Sequence, residues 1–152
     1  MKLTKTPKKV KWPKIHYVYI EKIGPFQNTA QKCWMQLKKL VPKIREHNKV
    51  TGFHSLYKFE PKMTYRAGVR ISAPPKKLPK GLKYEQFPGG KYSKFVMTGS
   101  YANLPEACGT VFEMVEKKKI KMSDNFHIEN YKNDPDTTPE NKLITEILIA
   151  TE

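Results

Sequence analysis

The chain has 152 residues, with 29 lysines and arginines against 14 acidic residues and a formal net charge of +15. Hydrophobic residues make up 38% of it, enough to build the core of one domain or of two half-size units. No apolar run approaches the roughly 18 residues of a membrane span, and two cysteines cannot form a disulfide framework, so spanning proteins, disulfide scaffolds and disordered tails are excluded.

The first half of the chain predicts a strand, a helix and two more strands. Residues 1–15 are rich in lysine and proline and are expected to form a flexible basic arm. The alternating run HYVYIEKI predicts a strand over 16–23. Apolar residues with a 3.6-residue period predict a helix from about Asn28, which Pro42 ends or kinks. The remaining β-rich runs predict strands at 53–59 and 65–71.

The same order then recurs. A Pro/Gly-rich linker over 73–87 separates the halves, and the second half predicts a strand at 92–98, a helix at 103–118 and strands at 126–131 and 143–150. Gly24 and Gly99 lie 75 residues apart, as do Cys33 and Cys108, so matching residues occur in the same order in the two halves of the chain.

The recurrence predicts one domain over 16–151, made of two repeats at 16–72 and 88–151. Because one three-stranded sheet with one helix buries too little apolar surface alone, the repeats should pair. The predicted fold is α+β: a tandem duplication of a strand–helix–strand–strand unit that forms an antiparallel sheet, with two helices on one face and a ligand groove between them.

Two motifs in the second half carry a family resemblance. The run PGGKYSKFVMTGSYANLPEA at 88–107 resembles the signature that opens the second half of GyrI-like small-molecule-binding domains, which are also the effector-binding domains of drug-responsive transcription activators. The run IENYKNDPDTTPENKLITEILI at 128–149 resembles the closing signature of that family, and VYIEKIGPF followed by a helical Trp34 fits its first half.

The resemblance covers about residues 16–151 and implies an aromatic-lined groove in which an acidic residue receives lipophilic cationic ligands. Some members of the family hydrolyse cyclopropane-containing compounds, and one inhibits DNA gyrase. Residues 1–15 are too short for a helix-turn-helix unit, so we expect a stand-alone binding domain.

Two carboxylates are the candidate ligand groups. Strand alternation puts Glu129 on one face with His127 and Tyr131, while Glu146 lies within the apolar run LITEILI. Their aligned positions in the first repeat are Ser55 and Gly68, so acidity occurs in one copy only. A structural role should tend to recur in both copies, and the asymmetry therefore favours a ligand site. The alternatives are a solvated strand residue for Glu129 and an edge-strand charge for Glu146.

Four aromatic residues are candidates for lining this groove, with core packing as the alternative for about half of them: Trp34, Tyr57, Tyr101 and Tyr131. Other aromatic residues are expected in the core: Tyr17, Tyr19, Phe95 and Phe112. The matching positions of Cys33 and Cys108 favour apolar packing. The histidines lack the spacing of metal ligands, so neither a metal nor another cofactor is expected.

The sequence favours sensing or sequestration of lipophilic, often cationic aromatic compounds, which Glu129 and Glu146 would bind with raised pKa values if both lie in one apolar groove. The second hypothesis is a hydrolase of cyclopropanoid or other electrophilic small molecules, with Glu129 or Glu146 and Tyr131 as base and acid. The third is a protein that interacts with gyrase or nucleic acid through its basic surface, which we favour less because the lysines are spread over a solvated surface. We expect a cytoplasmic monomer that does not bind membranes.

Overall fold

The computed structural model describes all 152 residues and contains nine strands and two helices. The strands are β1 (Lys2–Leu3), β2 (Lys8–Trp12), β3 (Ile15–Ile23), β4 (Val50–Lys58), β5 (Thr64–Ile71), β6 (Lys83–Phe87), β7 (Gly90–Thr98), β8 (His127–Tyr131) and β9 (Ile144–Ala150). The helices are α1 (Phe26–His47) and α2 (Leu104–Lys117), and a 3-10 turn over Tyr101–Asn103 leads into α2. The chain divides into two compact units, an N-terminal unit of residues 13–90 and a C-terminal unit of residues 1–12 and 91–152.

The N-terminal unit is an antiparallel sheet in the order β4-β5-β3-β6, with α1 packed on β3 and β5. The helix buries Cys33, Leu37 and Ile44 completely, at the spacing of a one-faced helix. It continues past Pro42, where the sequence predicted an end or a kink. Burial of Ile44 holds this last turn, and Asn48 caps it by donating from both its backbone and its side-chain nitrogen to the carbonyl of Ile44.

The C-terminal unit repeats this plan. Its sheet has the order β8-β9-β7, and β1 and β2 pair with the other edge of β7. Helix α2 contributes Ala107, Val111 and Val115 to a buried cluster. The sheet residues of that cluster are Phe95, Met97, Ile147 and Ile149. The side chains of β9 that point toward α2 therefore include Ile147 and, by alternation, Thr145.

Two segments expected to be irregular form edge strands. The basic arm contains β2, because Val10 and Trp12 alternate with lysines and Trp12 is buried. The second half of the predicted linker contains β6, which pairs with β3. Lysines on such edges disfavour pairing with other chains. High lysine and proline content hid the alternation in both segments.

The strand register gives the correspondence between the two units. Glu21 and Val96 correspond, because they are separated by the 75-residue interval of Gly24 and Gly99. Glu21 pairs with Arg66 and Val96 pairs with Glu146, so the counterpart of Glu146 is Arg66. The sequence alignment with Gly68 is therefore wrong by two residues. Ser55 pairs with Ala67 as Glu129 pairs with Ile147, which confirms that Ser55 and Glu129 correspond.

The helices correspond at the 74-residue interval of Ser55 and Glu129, one residue less than the sequence repeat suggested. The fully buried Cys33 and Leu37 then match the fully buried Ala107 and Val111, while the half-buried Trp34 matches the half-buried Cys108. The expected match of Cys33 with Cys108 is wrong, because it would set a buried helix face against a partly exposed one.

The α+β class and the duplicated strand–helix–strand–strand order are confirmed, and the groove between the helices stays a prediction. Neither α1 nor α2 combines the length and the apolar character that crossing a membrane requires.

Candidate functional site

One carboxylate in the C-terminal unit has the surroundings of a ligand group. The Tyr131 hydroxyl donates a hydrogen bond of 2.7 Å to Glu129 Oε1, and the Cys108 thiol donates one of 3.3 Å to Glu129 Oε2. The ring of Tyr101 packs edge-on against that of Tyr131, with centroids 5.3 Å apart. These four residues, named the Glu129 cluster below, come from β8, α2 and the 3-10 turn before α2.

Burial governs the electrostatics of Glu129. Desolvation raises the pKa of its carboxyl above the usual value, and the hydrogen bonds from Tyr131 and Cys108 offset only part of that effect. The residue as a whole is half-buried. No ion pair of the chain includes it. Glu129 is thus a desolvated carboxylate that lacks a cationic partner, in a residue that is not completely buried.

Two hydroxyl groups of the same unit have no hydrogen-bond partner within the protein: Tyr101 OH and Thr145 Oγ1. Burial, and to a lesser degree the negative charge of Asp134, raises the pKa of the Tyr101 phenol, which stays protonated. Thr145 pairs with Tyr131 in the register of β8 and β9, so it lies on the same sheet face as the Glu129 cluster.

Glu146 does not belong to this cluster. It pairs with Asn130, the neighbour of Glu129, and alternation therefore points Glu146 to the opposite sheet face. There its carboxylate accepts 2.7 Å and 3.1 Å contacts from Asn130 and Lys94. Burial acts to raise its pKa, but these contacts and the charges of Lys94 and Lys132 outweigh burial, so the pKa lies below the usual value.

Two expectations about Glu146 are therefore wrong: that it shares a groove with Glu129, and that its pKa is raised. Its counterpart Arg66 also forms ion pairs, at 2.8 Å to Glu21 and 2.7 Å to Glu85. A charged, paired residue thus recurs at this position in both units, as a structural role predicts.

The other two predicted lining residues lie in the N-terminal unit. Tyr57 is 4% exposed and packs edge-on against Phe26 and Phe59, which is core packing. The indole N–H of Trp34 donates to the Tyr65 hydroxyl at 2.8 Å and to Ser55 Oγ at 3.2 Å. Within each unit, then, the structure groups Tyr101 and Tyr131 with Glu129, and Trp34 with Ser55 and Tyr65.

Comparison with known proteins identifies the fold family. The family model of the GyrI-like small-molecule-binding domain matches residues 5–151 of the chain. The chain belongs to this family. A search of the curated proteins gives no match to this chain.

Solved structures resemble this GyrI-like domain at low sequence identity. The C-terminal domain of EcmrR shares 16% identity, with a TM-score of 0.79 over 100% of this chain and 99% of that one. SAV2435, solved with tetraphenylphosphonium, shares 15% identity, with a TM-score of 0.73 over 96% of this chain and 93% of that one. A Listeria innocua hydrolase encoded by lin2189 shares 12% identity, with a TM-score of 0.64 over 98% of this chain and 93% of that one. These similarities show the fold.

The GyrI-like domain also has a surface cavity of ≈ 660 Å³ in its C-terminal unit. It is lined by Met1, Lys2, Thr98, Gly99, Ser100, Asn103, Glu140, Asn141 and Lys142. No aromatic residue and no residue of the Glu129 cluster lines it. Its carboxylate, Glu140, is exposed beside two lysines, so the cavity lacks the desolvated charge that distinguishes Glu129.

Sequence reasoning missed two residues of this region. Cys108 was assigned to apolar packing, but its thiol contacts the Glu129 carboxylate. Thr145 gives no signal in the sequence, because a threonine in a strand is ordinary. The 74-residue interval aligns Cys108 with Trp34, whose indole forms polar contacts. This alignment is the sequence signal for a polar contact of Cys108.

Proposed function

We propose that this GyrI-like domain binds lipophilic aromatic cations at the Glu129 cluster, to sense or sequester them. The observation that carries the proposal is the Glu129 carboxylate, which is desolvated and forms no ion pair, although its hydrogen-bond partners are a phenol and a thiol. A buried charge without a counter-charge is unfavourable, and a bound organic cation would remove that penalty. The faces of Tyr101 and Tyr131 would add cation–π attraction of about 0.5–2 kcal/mol each.

The family and its structural neighbours support the ligand class. The family model describes small-molecule binding, and SAV2435 was solved with tetraphenylphosphonium, which is a lipophilic aromatic cation. Transfer of that ligand class to this chain depends on Glu129, since the sequences share only 15% identity.

Titration calorimetry with two ligands of similar shape tests the proposal: tetraphenylphosphonium as the cation and triphenylphosphine oxide as the neutral compound. Glu129→Gln should weaken binding of the cation by at least about tenfold, because two unit charges about 6 Å apart attract each other by about 3 kcal/mol at an effective dielectric constant of about 20, and should leave binding of the neutral compound within about twofold.

Glu146→Gln is the matched control, since it removes a carboxylate of the adjacent strand on the opposite sheet face. It should leave cation affinity unchanged. Equal cation binding by the parent protein and Glu129→Gln would refute the proposal, and loss of binding in Glu146→Gln alone would move the site to the other face.

A hydrolase is the second candidate, favoured by the 2.7 Å hydrogen bond between Tyr131 and Glu129. A carboxyl with a raised pKa beside a phenol has the composition of a general acid–base pair. Mass spectrometry after incubation with a cyclopropane-bearing electrophile separates the candidates. Turnover that is lost in both Glu129→Gln and Tyr131→Phe would favour hydrolysis, whereas binding without turnover would favour sensing or sequestration.

A further inference from the structure

The N-terminal unit fills the position of the Glu129 cluster with its own side chains. Ser55 is the counterpart of Glu129, and the Trp34 indole lies against it, donating its N–H to Ser55 Oγ and to the Tyr65 hydroxyl. Ser55 is 0% exposed. Ser55 and Tyr65 also hydrogen-bond to each other at 2.6 Å. A planar aromatic N–H donor is thus built into this unit, directly against two acceptor oxygens.

The C-terminal unit replaces both large aromatic side chains with small ones. Cys108 stands at the position of Trp34, and both side chains donate to the residue at the Ser55/Glu129 position. Thr145 stands at the position of Tyr65, because it pairs with Tyr131 as Tyr65 pairs with Tyr57.

The acceptor at the Glu129 position is correspondingly stronger than Ser55 and belongs to a less buried residue. Glu129 supplies a carboxylate where the other unit has a hydroxyl, and it is half-buried where Ser55 is sealed. Tyr131 is half-buried, whereas its counterpart Tyr57 is 4% exposed. The hydroxyl of Thr145, unlike that of Tyr65, has no hydrogen-bond partner in the protein.

We infer that the preferred ligands of the Glu129 cluster are planar aromatic cations with an N–H on or beside the ring, which direct that N–H to Glu129 as the Trp34 indole directs its own to Ser55. Compounds of this class include protonated aminoacridines, aryl amidines and aminoquinolines. This inference rests on the proposed function and narrows it, because a quaternary cation offers the same charge without the hydrogen-bond donor. Cys108 and Thr145 are smaller than Trp34 and Tyr65, whose positions they take, and the ring of the ligand is proposed to occupy the position that the Trp34 indole has in the other unit.

The test compares two dyes on the parent protein by fluorescence titration: protonated aminoacridine, which carries N–H donors, and N-methylacridinium, a cation of similar shape without one. The donor should bind about tenfold to a hundredfold more tightly, the range of a hydrogen bond to a charged group. In Glu129→Gln both dyes should weaken, and their difference should shrink to within about threefold.

A second variant tests the geometry. Cys108→Trp should place an indole against Glu129 and reduce the affinity for protonated aminoacridine by more than about tenfold. Gly109→Trp is its matched control, since it adds the same side chain one residue along α2, where a Cβ meets nothing within 4 Å. It should bind within about twofold of the parent protein. Melting curves establish that both variants fold.

The outcomes separate this inference from the proposed function. Equal affinity of the two dyes for the parent, with both weakened in Glu129→Gln, overturns the N–H preference but leaves a carboxylate site for cations. Dye binding that does not respond to Glu129→Gln overturns both. Unchanged aminoacridine affinity in a folded Cys108→Trp protein overturns the placement of the ring.

Discussion

At the scale of single residues, the two carboxylates of the closing motif have opposite electrostatics. Glu129 has a raised pKa because burial dominates, while Glu146 has a lowered one because Lys94 and Asn130 outweigh burial. They lie on adjacent strands but on opposite faces, since Glu129 pairs with Ile147 and Asn130 with Glu146. The pairing positions of Glu129 and Glu146 differ by one residue, and this difference puts the candidate ligand group and the Lys94–Glu146 ion pair on opposite faces of the sheet.

The raised pKa of Glu129 makes cation binding depend on pH. A cation is attracted by the ionised carboxylate, so its affinity should fall as pH drops through the raised pKa and should rise with pH over an interval that lies above the ordinary glutamate pKa of about 4.3. Glu146 stays ionised over this interval and adds no slope, because its pKa is lowered. Titration of tetraphenylphosphonium at several pH values measures the effect.

The controls for this pH profile are one ligand and one variant. Triphenylphosphine oxide, which is neutral, should show a nearly flat profile, and Glu129→Gln should flatten the profile of the cation. A flat profile for the cation on the parent protein would mean that Glu129 is solvated.

Folding stability should depend on pH with the opposite sign to cation affinity. A folded-state pKa above the unfolded one contributes stability at low pH that is lost as pH rises through the folded pKa. Glu129→Gln removes this pH-dependent loss of folding stability. Weaker cation binding by this variant at neutral pH would therefore not result from unfolding.

At the scale of secondary-structure elements, strands β3 and β5 approach closely at Gly68. A Cβ there would meet the Tyr17 ring at 2.5 Å and the carbonyl oxygen of Val18 at 2.6 Å. Tyr17 cannot easily move, because it is fully buried and donates its hydroxyl proton to the carbonyl of His54 at 2.8 Å.

Gly68→Ala should therefore destabilise the protein by about 1–3 kcal/mol, the cost typical of overpacking in a core. Gly109→Ala is the matched substitution on exposed α2. It should stabilise by about 0.5–1 kcal/mol, since alanine has the higher helix propensity and its Cβ meets nothing within 4 Å. Urea denaturation measures both changes. A Gly68→Ala protein as stable as the parent would mean that β3 and β5 can separate at this point.

Sequence periodicity located both helices and six of the nine strands because their apolar residues alternate or recur at helical spacing. It failed at β1, β2 and β6, where lysine and proline mask short edge strands whose partners lie far along the chain. The role of Glu129 as a ligand group stays a prediction. Sequence alignment of the repeats also gave Glu146 the wrong counterpart, since the aligned residue of a strand depends on the length of the turn before it. The two-residue error replaced the structural counterpart Arg66 with Gly68.

At the scale of the whole molecule, duplication supplied two copies of one plan that diverged in chemistry. The N-terminal unit covers Ser55 with Trp34, and the C-terminal unit leaves Glu129 half-buried beside the small Cys108. The scaffold residues kept their roles: helix positions 33 and 37 match 107 and 111 as fully buried positions. Divergence is thus concentrated where the helix meets the second strand of each repeat.

The net charge of +15 predicts an unusual salt dependence for a carboxylate that binds cations. A single ion pair weakens as salt is added, but the summed positive charge of this molecule repels an approaching cation over distances that salt screens, with a Debye length of about 10 Å at 0.1 M. The short-range contact with the desolvated Glu129 is screened much less. Raising the salt concentration from about 10 mM to about 150 mM should therefore increase the association rate of tetraphenylphosphonium several-fold and change its dissociation rate little. Stopped-flow fluorescence quenching measures both rates, and triphenylphosphine oxide, being neutral, should associate at a rate independent of salt. A cation association rate that instead falls with salt would show that the field of Glu129, rather than the net charge, guides the encounter.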